Sequence, residues 1–195
     1  MEFVFFLPHR ILFGTWYLLF VILINEISNL KTLLLIRHAK SSWDDAGLTD
    51  YERPLNDRGK KDAPAMAEKL YERGIKIDAF VTSPARRARK TAEQFAKRYK
   101  KEKEDLLLKT ELYMASDEAF NSVVEKLNDD IDCAAVFSHN PGITDFANSL
   151  TDDIRIDNIP TCGIFGVSIE AKKWNKFRDA KKKFLFFDYP KALVE

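Results

Sequence analysis

Residues Lys31 to Asp45 read KTLLLIRHAKSSWDD, and they predict a buried strand that ends on two polar side chains. The run from Thr32 to Ile36 is short and apolar or β-branched, as is typical of a central strand. Arg37 and His38 follow it directly. Ligands of open α/β sheets gather outside the carboxyl ends of the strands, so a cation and an imidazole here indicate an anion site with a nucleophile.

The sequence after this stretch alternates between predicted helices and strands. Strands are predicted at residues 79–82, 106–108 and 133–137, and two more, at 163–169 and 183–188, are expected to form a hairpin-like edge. Amphipathic runs predict helices between them, with Tyr71 on the buried face of the first and Ser83-Pro84 at the start of the second. This order predicts a three-layer α/β/α sandwich with a mostly parallel central sheet.

Composition favours one catalytic domain over residues 31–195 and excludes strong electrostatic recruitment. The 31 basic and 30 acidic residues of the 195-residue chain give a net charge of +1, so no nucleic-acid partner is expected. Cys133 and Cys162 lack the spacing of metal ligands, and we expect both to be buried free thiols. We expect a monomer.

Residues 1–30 form an apolar extension with a different character. Residues 11–24 are uncharged and follow His9-Arg10, but this run is shorter than the roughly 20 residues that cross a bilayer. Three interpretations stay open: a membrane anchor or signal, a packed extra helix, or sequence upstream of a true translation start at Leu30.

Three predicted strands end on polar loops, at Arg37-His38, at 83–87 and at Ser138-His139. The carboxyl ends of parallel strands share one edge, and two of these loops lead into helices whose N-termini attract anions. Two imidazoles and at least two guanidiniums would repel one another without a multivalent anion, which indicates phosphate. One imidazole could attack phosphorus in line. The sequence has no carboxylate cluster and no glycine-rich nucleotide loop, so we expect neither a metal nor a cofactor.

Three motifs in these loops resemble the signatures of the histidine phosphatase superfamily, which includes the phosphoglycerate mutases. They are RHA at 37–39, SPARRARKTA at 83–92 and SHNPG at 138–142. RHAKSSW, ERPLNDRG at 52–59 and ELYMAS at 111–116 are similar to its SixA-type phosphohistidine phosphatase branch. The resemblance covers about residues 31–190 in consistent order.

The resemblance implies a role for each matching residue. His38 matches the nucleophile that becomes phosphorylated, Arg37 a phosphate ligand, and His139 a second histidine that binds the phosphoryl oxygens. The family pattern S-x-x-x-R-A-x-x-T makes Arg87 the pocket arginine. We expect Arg86 and Arg89 to lie toward solvent. Candidate accessory residues are Ser41, Ser83 and Glu111.

Two departures from the family pattern bear on the substrate. Asp44 stands where many mutase-like members have asparagine, so we expect it to face away from phosphate or to contact a basic partner. The acidic proton donor of those members has no clear equivalent, its place falling near Met114, and Glu111 need not reach the pocket. An alkoxide leaving group needs such a donor, whereas a phosphohistidine nitrogen, with a pKa of about 6.5 for its protonated form, can already carry a proton near neutral pH.

The sequence therefore favours hydrolysis of phosphohistidine on a protein of the histidine phosphotransfer type. No insertion large enough for a lid is evident, which suits a phosphorylated side chain on another protein. The alternatives are a metal-independent phosphomonoesterase acting on a small phosphorylated metabolite, and a non-catalytic phosphate-sensing or partner-binding module. If residues 11–24 spanned a membrane, Arg10 ahead of them would place the catalytic domain outside, where cytosolic phosphohistidine proteins would be out of reach. We therefore expect a cytoplasmic domain.

Overall fold

The computed structural model describes residues 30–190, and a six-stranded sheet forms their centre. The strands are β1 (Leu30–Arg37), β2 (Ala79–Thr82), β3 (Leu106–Leu108), β4 (Cys133–Ser138), β5 (Ile164–Glu170) and β6 (Lys182–Asp188). The helices are α1 (Asp57–Glu72), α2 (Arg86–Arg98), α3 (Asp117–Glu125) and α4 (Gly142–Leu150). The extension predicted over residues 1–30 lies outside the described residues except for Leu30, the first residue of β1.

The strand order is β3-β2-β4-β1-β5-β6. The pairs β1–β4, β2–β4 and β2–β3 are parallel, whereas β5 runs antiparallel to both β1 and β6. The predicted mostly parallel sheet with a hairpin-like edge is therefore confirmed. The carboxyl ends of β1, β2 and β4 lie side by side.

Two hydrophobic cores separate the sheet from the helices on its two faces, because side chains alternate along each strand. Leu33 and Leu35 of β1 join the core beneath α3 and α4, and Leu34 and Ile36 join the core beneath α1 and α2. All four side chains are fully buried. A strand buried on both faces accounts for the unbroken apolar run in the sequence and confirms the three-layer sandwich.

Two local predictions were wrong. Helix α2 begins at Arg86, two residues after Pro84, and Ala85 rather than Ser83 precedes it at the N-cap. The Ser83 side chain is turned toward His139 instead, as described below. Tyr71 is 42% exposed because it lies at the margin of the α1 face that buries Leu70. The Arg98 guanidinium covers the Tyr71 ring at 3.3 Å from its centroid.

Between residues 30 and 190, no helix has the combination of length and hydropathy that crossing a bilayer requires. Cys133 and Cys162 are buried free thiols, as predicted.

Candidate active site

The backbone brings the three predicted loops together at one edge of the sheet. Arg37 pairs in register with Ser138 across β1 and β4. The His38 amide donates to the Ser138 carbonyl at 3.1 Å, and the Ser83 amide donates to the Phe137 carbonyl at 3.0 Å. Residues that are about a hundred positions apart in the sequence therefore lie side by side, as the parallel topology requires.

His38 is held in one tautomer. Its Nδ1 lies 2.8 Å from the Ala39 carbonyl, which can only accept, so Nδ1 carries the proton. Arg87 Nε donates to His38 Nε2 at 3.1 Å, which places the imidazole lone pair on Nε2. The Ala39 amide donates to Thr91 Oγ1 at 2.9 Å, and the Thr91 hydroxyl donates to the Arg87 carbonyl at 2.7 Å. Helix α2 thus fixes both the imidazole and its guanidinium partner.

The surroundings of His38 keep its imidazole neutral. Burial, the His139 ring at 5.0 Å between centroids, and the Arg87 and Arg37 guanidiniums lower the pKa of His38 well below its usual value. The hydrogen bond to the Ala39 carbonyl opposes this shift without cancelling it. A neutral imidazole with its lone pair on Nε2 is the form that can act as a nucleophile.

His139 offers a second buried imidazole. Its Nε2 lies 2.9 Å from Ser83 Oγ, which also accepts the Ala85 amide at 3.3 Å. When the Ser83 hydroxyl donates to Nε2, the imidazole proton lies on His139 Nδ1, a buried atom without a hydrogen-bond partner among residues 30–190. Burial and the nearby Arg87 lower the pKa of His139 to about 3. Its Nδ1–H is therefore a neutral donor available to an anion.

Arg37 is anchored at one end and unpaired at the other. Its Nη1 donates to the Ile159 carbonyl at 2.8 Å and to Asn158 Oδ1 at 3.2 Å. Its Nε is buried and has no partner within the described residues. Burial and the charge of Arg87 lower the pKa of Arg37 from its usual value. Arg37 Nε and His139 Nδ1 are thus two buried donors that can bind the oxygens of a phosphoryl group.

Arg87 is paired with Asp50, a residue that no motif in the sequence identifies. Arg87 Nη2 donates to Asp50 Oδ2 at 2.9 Å, and Arg87 Nη1 donates to the Asp50 main-chain carbonyl. Arg53 Nη1 and the Tyr113 hydroxyl also donate to the Asp50 carboxylate, each at 2.9 Å. Partial burial raises the pKa of Asp50, but the hydrogen bonds from Tyr113, Arg53 and Arg87 outweigh it and lower the pKa to about 2.

Asp50 lies in a short 3-10 helix, residues 50–52, that packs against the start of α2. The sequence predicts only a polar, turn-rich segment here, since such a helix has no hydrophobic period. One signal was available, because two guanidiniums in one pocket call for a counter-charge. The same packing means that the loop between β1 and α1 covers the Arg87 side of the site.

The accessory candidates separate into three cases. Ser83 lies in the site through its hydrogen bond to His139. Ser41 is buried and accepts from Arg53 Nη2 at 2.7 Å, so it orders the arginine that holds Asp50. Glu111 is exposed, and its side chain contacts Thr110 rather than the site. Asp44, Arg86 and Arg89 are exposed, as expected.

Residues 30–190 contain no group of three or more His, Cys, Asp or Glu side chains arranged to hold a metal ion.

Comparison with protein families and with curated proteins identifies sequences similar to this chain. A model of the histidine phosphatase superfamily (branch 1) matches residues 33–144. A 2,3-bisphosphoglycerate-dependent phosphoglycerate mutase from Bartonella henselae is 41% identical over 83 residues, which are 41% of this chain and 39% of that protein. The chain spans about a third of the length of the curated relatives that it matches.

Two solved structures share the fold. A protein from Nakamurella multipartitia described as a phosphohistidine phosphatase of the SixA type superposes with a TM-score of 0.72 at 20% identity, over 83% of this chain and 96% of the other. The protein histidine phosphatase SixA in complex with tungstate gives a TM-score of 0.71 at 21% identity, over 83% and 99% of the two chains.

Proposed function

The chain belongs to the histidine phosphatase superfamily, and from that premise we propose that it hydrolyses phosphohistidine on a partner protein through a phosphorylated His38. The observation that carries the proposal is the state of His38, a buried neutral imidazole whose Nε2 lone pair lies beside Arg87 and His139. A module that only binds phosphate has no need of a prepared nucleophile. The proposed catalytic unit is residues 31–195.

In the first step His38 Nε2 attacks phosphorus and forms a P–N bond. The bond from phosphorus to the substrate nitrogen breaks, and its electron pair returns to the substrate imidazole, which leaves neutral if its other nitrogen was protonated. Arg37 and His139 donate hydrogen bonds to the phosphoryl oxygens, where negative charge spreads in the transition state. Arg87 Nε turns from His38 Nε2 to one of these oxygens as the attack begins, which releases the Nε2 lone pair. His38 Nδ1 keeps its proton because its N–H donates a hydrogen bond to the Ala39 carbonyl at 2.8 Å.

In the second step water attacks phosphorus, and the bond to His38 Nε2 breaks. The electron pair returns to Nε2, and the proton lost by water leaves with the inorganic phosphate. Since Nδ1–H remains bonded to Ala39, His38 leaves as a neutral imidazole and needs no added proton. The same hydrogen bond therefore serves both steps.

The carboxylates around the site favour phosphohistidine over an alkyl phosphate. Asp50 has a pKa of about 2 and is ionised at neutral pH, so it is a poor general acid. Glu111 is exposed and bonded to Thr110. A substrate whose leaving group is an imidazole does not need the missing donor. The names of the two solved neighbours, both histidine phosphatases, agree with this choice.

The surface near the site supports a protein substrate. Trp43 is 73% exposed and Met114 is 79% exposed, and both belong to loops that carry site residues. Trp and Met side chains are enriched at protein interfaces relative to the rest of the protein surface. We infer that a phosphorylated protein docks there and that the catalytic domain works in the cytoplasm, as a monomer and without a cofactor.

A second candidate is a phosphomonoesterase or mutase acting on a small metabolite. The 41% identity with the Bartonella henselae phosphoglycerate mutase over 83 residues favours it. That reaction expels an alkoxide, so it requires a proton donor that the described site does not supply.

Competing hydrolysis tests the proposal. We expect the purified protein, without added metal, to hydrolyse a histidine-phosphorylated protein domain at least about a hundredfold better in kcat/KM than an alkyl phosphate, which is the scale of a missing general acid. His38→Ala should abolish turnover. Equal or better hydrolysis of the alkyl phosphate would favour the small-metabolite candidate, and activity that survived in His38→Ala would exclude a phospho-His38 intermediate.

A further inference from the structure

Asp50 occupies the centre of a hydrogen-bond cluster that begins at the surface and ends at His38. Its carboxylate accepts from Arg53, Arg87 and Tyr113, each at 2.9 Å. Arg53 is itself buried and also donates from Nε to the Ser42 carbonyl at 2.9 Å and from Nη2 to Ser41 Oγ at 2.7 Å. The loop after β1 is thereby tied to the guanidinium at the start of α2.

We propose that Asp50 is a positioning residue for the reaction, which orients Arg87 so that Arg87 in turn aligns His38 Nε2. This inference rests on the proposed function. Asp50 engages both Nη atoms of Arg87 from one side, one with its carboxylate and one with its main-chain carbonyl. The only guanidinium edge left to face His38 is then the Nε edge, 3.1 Å from Nε2.

Removing the charge of Asp50 distinguishes a role in positioning Arg87 from a role in binding the anion. Within the described residues, Asp50 is the only carboxylate that hydrogen-bonds Arg87, and it offsets part of the positive charge that attracts phosphate. Removing its charge should therefore leave phosphate affinity unchanged or stronger, while Arg87 and His38 lose their alignment. A residue that only stabilised the fold would instead weaken binding and turnover together.

The test is Asp50→Asn in the full chain, a substitution of the same size without the charge. We expect kcat to fall at least about tenfold, while the inhibition constant of inorganic phosphate stays the same or decreases. Asp62→Asn is the matched control, since it breaks an arginine–aspartate pair with Arg58 within α1 that hydrogen-bonds none of His38, Asp50 and Arg87, and it should retain wild-type kinetics.

A second readout does not depend on turnover. In wild type and in Asp62→Asn, we expect the Arg87 Nε–H to exchange slowly with solvent by NMR, because it is buried and bonded to His38. In Asp50→Asn its exchange should accelerate at least about tenfold, since opening of the pair becomes easier. Equal exchange rates, unchanged kcat, or a loss of phosphate affinity that matches the loss of kcat would each overturn the role assigned to Asp50. If the wild-type protein hydrolysed no phosphorylated substrate, the proposed function would fail, whereas the exchange data would still decide whether Asp50 orients Arg87.

Discussion

The folded protein keeps the imidazoles of His38 and His139 neutral, and the effect of this on the free energy of unfolding depends on pH. Burial is the main cause in both, and the neighbouring guanidiniums add to it. An unfolded chain would bind protons at both histidines below a pH of about 6.5. The unfolded state therefore binds more protons than the folded state in acid, and the stability of the fold falls as the pH drops below that value.

This difference predicts an acid-sensitive fold. Because the pKa of His139 is about 3 in the folded protein, the stability that depends on its neutral form is lost progressively as the pH falls from about 6.5 to about 3. Between pH 7 and 5 we expect wild type to lose about 2 kcal/mol more stability than His139→Gln, which has no titrating group. Urea unfolding of both proteins at pH 7 and at pH 5 measures this difference in the loss of stability.

The buffers for this measurement should contain no phosphate, since an anion bound to the folded state would raise stability by itself. His38→Asn provides a parallel variant, because its wild-type pKa is also lowered. An equal change of stability with pH in wild type and in both variants would contradict the neutral state described for the site.

At the scale of elements, two helices begin where their backbones press against a site loop. A Cβ atom on Gly142, the first residue of α4, would lie 2.0 Å from the Ala115 carbonyl oxygen. A Cβ atom on Gly59 in α1 would lie 2.1 Å from the Lys40 carbonyl oxygen. These glycines allow a close approach that any side chain would prevent.

Gly142→Ala should push α4 away from Ala115 and displace His139, whose carbonyl accepts the Ile143 amide at 3.0 Å. We expect a loss of about 1–3 kcal/mol in unfolding free energy, typical of overpacking, together with a lower kcat/KM. Gly47→Ala is the control, because its Cβ would meet only the flexible Asp45 carboxylate, at 3.3 Å. Equal stability of the two variants would show that the contact is readily relieved.

The elements themselves could be predicted because local pattern and tertiary packing agree. Leu33 to Ile36 are buried on both faces, so their apolar run identifies the strand without ambiguity. Ser83 was misplaced because a serine before proline satisfies a helix N-cap and a site hydrogen bond equally well in sequence terms. Its hydroxyl goes to His139, and the helix begins later.

The site was predictable where strands carry it, and at Arg87 of α2 through the family pattern. Arg37 ends β1, and His38 and His139 directly follow β1 and β4, whose parallel order places them together. Asp50, Asn158 and Tyr113 lie in segments without strand or α-helix period, and their positions depend on how the loops pack. The partners of the arginines therefore became visible only in three dimensions.

At the scale of the whole molecule, the sheet buries the reactive groups and leaves apolar side chains around them exposed. His38, Arg87 and His139 are each at most 8% exposed. Among the large hydrophobic residues that the structure describes, Trp43 and Met114 are the most exposed. Met114 also has a φ of 51°, in the left-handed region that costs a methionine about 1–3 kcal/mol. The backbone thus holds an apolar side chain outward next to Tyr113, whose ring contacts His139.

If a phosphorylated protein docks on this surface, Trp43→Ala and Met114→Ala should each raise the KM for that protein at least about fivefold, through lost apolar contact. The rate with a small phosphorylated compound should change less than about threefold, because Arg53 keeps its bonds to Ser41, Ser42 and Asp50 without Trp43. Leu185→Ala, an exposed residue of the edge strand β6, is the control. Parallel losses on both substrates would mean that these side chains support the site itself, and no loss on either would place the docking surface elsewhere.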